Sequence, residues 1–447
     1  MLSLFALLLF VQLLYITIGL WLLDRGRLGH VVDFYVVGFA GFFLFRAGLL
    51  VMGLDSFIFP ALGSEGVPDQ ARAVEDALVA LVVWQALVSV GVVLGRRLVA
   101  PRRLVGGSLR AISTSRLRHL LLVAAAVGSA VAVAVVASEA GGIEDTIAAS
   151  KAEKALGGLF FLQFIPIAGM LWASHLALDE RDRLKSLCYW ISSTGFAATV
   201  MIWGSRRVLV VLAALIVVSM LRSSVSARID LARLVLLAPA TIPLLLGLSI
   251  ALRRWRDGAI GGGISGKVAS EPIWRQASLS ANATYFEAFT LATRDFPEVH
   301  SYWGAQPFMD GLLGVVPRLL WSGKPEGVAI GAEFRQIYEP QILNGWPVGG
   351  VGEWYLSFGW FGLLVGALLS GFLLSALGNT IRKYGSLPFA AAFGLQILEL
   401  GFGGQSAVRW FGWIVPTLLV VWFIEWQARQ EAVGRLRRDP DLQLSLH

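Results

Sequence analysis

This sequence predicts an all-α, polytopic membrane protein of about eleven transmembrane helices (10–12), with one large external loop. Three observations carry that expectation. Of the 447 residues, 56% are hydrophobic and 15% charged, with a mean hydropathy of +0.69, an apolar excess expected of a chain that lives in lipid. Eleven apolar runs approach the length of about 20 residues needed to cross a hydrocarbon core of roughly 30 Å. Lysine and arginine, moreover, are unevenly shared between alternate connections.

The first run, 1–23, has neither a basic leader nor a small-residue cleavage site, so it reads as an uncleaved span. The others cover about 31–52, 77–95, 119–138, 158–177, 186–203, 208–222, 231–252, 354–377, 386–402 and 409–427. The sixth and seventh are short and flank "GSRR" (Gly204 to Arg207), forming either a tight hairpin or one broken element. The chain then divides into spans over 1–252, a large loop over 253–353, further spans over 354–427 and a tail over 428–447.

Orientation follows from the positive-inside bias. Connections 24–30, 96–118, 178–185, 222–233, 378–385 and the tail hold 21 Lys and Arg, against 6 in the opposite short loops. The richer set is cytoplasmic, so the N-terminus and the 253–353 loop lie outside and the C-terminus inside. "RRWR" (Arg253 to Arg256) runs against this at an external span end, but long loops cross largely regardless of charge.

The net charge of +7 belongs to those topological arginines rather than to a nucleic-acid surface. The single Cys188 excludes an internal disulfide or cysteine cluster, and His30, His119, His175, His300 and His447 have no ligand spacing. No metal or other cofactor is expected.

Several cations fall on the external side. Arg46 sits in the outer half of span two, where it either snorkels to the headgroups or contacts a phosphate inside the bundle. Arg206 and Arg207 follow Gly204 and Ser205, and are either interfacial anchors or paired planar donors to an anion. Arg318, Lys324 and Arg335 lie in the large loop, and Arg409 opens the last span. An outer-leaflet anion such as a lipid pyrophosphate would account for them together.

"PRLLWSGKP" (Pro317 to Pro325) sets Trp321 between cations on a proline-fixed backbone. Aromatic faces stack on the apolar side of pyranose rings, so the segment suits a sugar phosphate, although an interfacial tryptophan anchor would read the same way. "GWPVGGVGEWYLSFGWFGLL" brings Gly349, Gly350 and Gly352, which permit close backbone approach to a ligand. Glu353 follows at the membrane edge beside Tyr355, as a general base or a structural counter-ion. Asp310, Glu333 and His300 compete for the base role.

These residues resemble the bacterial O-antigen polymerase (Wzy) and oligosaccharide repeat-unit polymerase family. Pro317, Arg318, Leu320, Trp321, Lys324 and Pro325 fit its late-loop segment. Gly352, Glu353, Tyr355, Phe358, Gly359 and Gly362 fit the start of its following span, and Gly204, Ser205 and Arg206 its break between short spans. The resemblance implies a C-type, metal-independent glycosyltransferase of the bacterial cytoplasmic membrane. Its substrates would be undecaprenyl-pyrophosphate-linked glycans, with membrane lipid around it and a chain-length regulator as a possible partner. Arg318 would stabilise the departing pyrophosphate, Glu353 would act as base, and the other external cations, Trp321 and Tyr355 would bind substrate. A related O-antigen ligase, or a transporter of lipid-linked sugars, is the alternative.

Overall fold

The computed structural model describes residues 3–23, 31–57, 59, 62, 67–98, 115–140, 142, 162–180, 182–201, 212, 284–314, 321, 330–340 and 345–384. Among them the chain is helical, with no strand. Among the described residues, four helices are long and apolar enough to cross a membrane: Leu4–Leu22, Asp69–Leu98, His119–Ser138 and Gly349–Ala376. Predicted spans over 231–252, 386–402 and 409–427, and all of 208–222 but Leu212, lie outside the described residues, as does the C-terminal tail.

The first span is α1 (Leu4–Leu23). The second predicted span is interrupted: α2 (Val31–Phe39) passes through a π-helical turn, Ala40–Leu44, into α3 (Phe45–Val51). Tyr35, Phe39 and Phe43 stack in sequence along this segment, with ring centroids 6.1 and 5.2 Å apart. Such π turns admit one extra residue into a helix and often mark functional positions. The third span, α4 (Val67–Leu98), begins ten residues before the hydrophobic run that announces it. After α5 (Ser115–Ala140), α6 (Phe164–Asp179) and α7 (Arg183–Met201) form an antiparallel hairpin. Hydroxyls weld that hairpin: Ser174 and Ser193 meet at 2.7 Å, and Ser186 donates to the Ala177 carbonyl.

The predicted loop is partly built into the bundle. α8 (Tyr285–Asp295) is buried over nearly its whole length, against α4, the π turn and α11 (Gly349–Tyr384). Two shorter helices follow, α9 (Gln306–Gly314) and α10 (Ile330–Tyr338). Gly349 and Gly352, expected to admit a ligand, instead admit protein: a β-carbon would meet the Tyr285 ring at 3.0 Å and Val348 at 3.0 Å.

Among the described helices, α4 and α11 make the most extensive contact. Gly91 and Gly95 face Gly371 and Ser375; a β-carbon at Gly91 would lie 2.9 Å from the Phe372 nitrogen, and one at Gly95 2.8 Å from the Phe372 carbonyl. Small residues four apart let membrane helices approach backbone to backbone, where dispersion contacts hold them.

α11 is not straight. Gly359 has φ 61° and ψ −141°, outside the helical region. Trp354 and Gly366 would stand about 18 Å apart along an unbroken helix at the usual rise, yet the Trp354 indole occupies the position of a Gly366 β-carbon. The arm before Gly359 is therefore folded back against the arm after it. The break frees the Leu356 and Ser357 carbonyls, and the Trp303 and Gly304 amides donate to them at 3.0 and 2.9 Å. Backbone groups released at membrane depth need such partners.

Candidate functional site

Two residues past that docked loop, a cavity of about 270 Å³ opens between α9 and α10. Gln306, Pro307 and Asp310 share one face of α9 by their spacing, and Ile330, Glu333 and Ile337 share one face of α10. Trp303 completes the lining from the loop that holds the α11 break. Polar groups converging on an apolar wall are the usual make-up of a ligand site.

Both walls are anchored from behind. Phe308 of α9 packs on Trp354 and Phe358, with centroids 4.6 and 5.6 Å apart. In α10, Phe334 is fully buried and the Tyr338 hydroxyl donates to Asp295 at 2.5 Å. Trp346 then stacks on Tyr338 on one side and on Phe59, at 4.0 Å, on the other. Glu333 is thus carried by a helix whose opposite side is fixed. Burial, and after it the charge of Asp310, holds the Glu333 carboxyl above the ordinary glutamate range.

Arg46 is fully buried rather than extended toward the headgroups. Its Nε donates to Glu287 at 2.7 Å, Nη1 to Asp55 at 2.5 Å and Nη2 to the Ser56 carbonyl at 2.6 Å, with a further contact from Nη2 to Glu287. Glu287 also accepts from the Phe59 amide at 3.2 Å. This cluster ties α3, the turn after it and α8 together, and the Arg46 guanidinium is taken up by protein groups within it.

Other expected site residues are scattered. Glu353 is 6% exposed in the short arm of α11 and is not part of the cavity lining. Tyr355 is buried, its hydroxyl donating to the Phe296 carbonyl at 3.2 Å. Arg335 pairs with Glu339 at 2.5 Å and lies 5.5 Å over the Trp346 ring; two residues beyond Glu333, it is on the other side of α10. Trp321 is exposed. His300 packs between Phe296 and Tyr338, away from the cavity lining. Arg206, Arg207, Arg318, Lys324 and Arg409 lie outside the described residues.

Of the competing bases, Asp310 and Glu333 are the two brought together. Trp303 and Gln306 were not singled out by sequence; the i, i+1, i+4 and i, i+3, i+7 spacings across α9 and α10 were the available signal. No protein-family model, curated protein or solved structure shows a match to this chain.

Proposed function

We propose that this protein is a polymerase of undecaprenyl-pyrophosphate-linked oligosaccharide repeat units, acting at the outer face of the bacterial cytoplasmic membrane without a metal. The observation that supports this reading best is the cavity itself: an indole and two carboxylates, one held above its ordinary range, in a segment docked onto a broken membrane helix. Glycosyl transfer needs an aromatic face for the sugar, a base for the acceptor hydroxyl and an electrostatic partner for the leaving pyrophosphate. The last role falls to Arg318 and its neighbouring cations in this reading. Lipid-linked substrates fit a cavity beside a membrane helix, because the glycan can enter it while the polyprenyl chain stays in lipid.

A transporter of lipid-linked sugars is the second reading. The break at Gly359 favours it, since discontinuous helices commonly form transporter binding sites. Purified protein in nanodiscs, supplied with a lipid-linked repeat unit, separates the two. A ladder of lipid-linked oligomers supports the polymerase; transbilayer movement of the same lipid in vesicles, with no ladder, supports the transporter and sinks the first reading.

A further inference from the structure

The two carboxylates in the cavity are not equivalent, and the chemistry asks for only one proton acceptor. A pyrophosphate departs as a stable anion and needs no protonation, so glycosyl transfer from it requires a base at the acceptor hydroxyl but no acid at the leaving group. Glu333 sits mid-face on α10, one turn after Ile330 and one turn before Ile337, and so projects from the centre of one wall. Asp310 faces it from α9, and Trp303 closes the end nearest α11. Glu353, the base that the sequence favours, lies in the core of the bundle instead.

We propose that Glu333 takes the proton from the acceptor sugar's hydroxyl, that Asp310 is a positioning residue facing it across the cavity, and that Trp303 stacks on the acceptor ring. This assignment rests on the polymerase reading above and names the half of the reaction that the cavity serves, the acceptor side. The step balances without any further reagent. The acceptor O–H bond breaks and its proton passes to a Glu333 carboxylate oxygen. The freed electron pair forms the new bond to the donor's anomeric carbon, while that carbon's bond to the pyrophosphate oxygen breaks and the pyrophosphate leaves with the pair. Glu333 afterwards releases its proton to water.

A carboxylate raised above its ordinary range, by burial first and then by a neighbouring negative charge, is a stronger base than an exposed one. The α10 anchors, Phe334 in the core and Tyr338 on Asp295, fix the helix that carries it. Trp303 is fixed in turn through its amide on the Leu356 carbonyl.

Initial rates of oligomer formation test this, using purified full-length protein in nanodiscs with a synthetic lipid-linked repeat unit, across pH 5 to 8.5. Glu333→Gln is expected to lose about 10²-fold or more, the scale of a removed general base, while eluting as the parent protein does. Asp310→Asn is expected to stay active and to move the acid limb of the pH profile to lower pH, because the charge that raises Glu333 is gone. Glu333→Asp, a carboxylate one methylene shorter, is expected to keep the limb at a reduced rate; it serves as the test if the glutamine variant does not fold. A parent protein that turns over, with Glu333→Gln equally fast or with the limb unmoved in Asp310→Asn, overturns the assignment and leaves the polymerase reading standing. A folded parent protein that makes no oligomer overturns the polymerase reading, and this assignment with it.

Discussion

Arg46 finds Glu287 across 241 positions of sequence, and that pairing decides what kind of residue it is. A buried ion pair adds little net stability compared with apolar packing, but removing one partner leaves the other charged and unsolvated, at a cost of about 3–5 kcal/mol. Arg46→Ala should therefore lower the melting temperature in detergent sharply. The double variant with Glu287→Ala should lose less than the sum of the two single changes, and strict additivity would mean that the pair is not coupled. Glu333 gives a prediction of the opposite sign. Its carboxyl is raised on folding, so the folded state favours the proton; the stabilising contribution is present at low pH and fades as pH rises through the folded value. Glu333→Gln, fixed in a neutral form, should match the parent's melting temperature near pH 4, below the ordinary glutamate range, and exceed it near pH 8. A parent protein no less stable than the variant at pH 8 would contradict the unfavourable environment assigned to Glu333. Part of this was legible: Arg46 shares a helical stripe with Phe39, Phe43 and Leu50, which implies burial. Its partners were not, because hydropathy ranks depth and carries no information on pairing.

At the scale of elements, the α4–α11 contact depends on the absence of side chains at three positions. Gly371→Leu would drive a branched side chain into the Val88–Val92 backbone, where a β-carbon would already lie 2.9 Å from the Val92 nitrogen. Overpacking of this kind costs about 1–3 kcal/mol or more. The expected result is a lower melting temperature and lower yield of monodisperse protein, with Gly19→Leu, at an open position on α1, as a control close to the parent. Equal stability of Gly371→Leu and the control would show that the helices do not approach so closely. The four-residue spacing of Gly91 and Gly95 was readable in the sequence as a helix-packing signal. The reversal at Gly359 was less so. A hydropathy profile sees one continuous apolar run over 354–377, since it averages side chains and is blind to backbone direction. Span three was found but its start misplaced, because the first ten residues of α4 carry Asp69, Arg72, Glu75 and Asp76 and fall below any apolar threshold.

At the scale of the whole molecule, the all-helical, membrane-type architecture was legible from composition and from the period of the apolar runs. The internal organisation of the large loop was not. α8 reads as a polar segment by its average, yet it is buried, because its aromatic and small residues face α4 and α11 while Glu287 is matched by Arg46. A segment read as an excursion from the bundle is thus partly a structural member of it, and its docked loop sets up the cavity on which the functional reading stands. That reading requires the cavity to face outward and to admit glycan. Gln306 lines the cavity and is solvent-exposed, so a cysteine there, with the exposed Cys188 replaced by serine, reports on both requirements. The account predicts that a membrane-impermeant thiol reagent labels Gln306→Cys in intact spheroplasts, and that a lipid-linked repeat unit protects it in nanodiscs. Labelling only after lysis, or labelling in nanodiscs unaffected by that lipid, would contradict it.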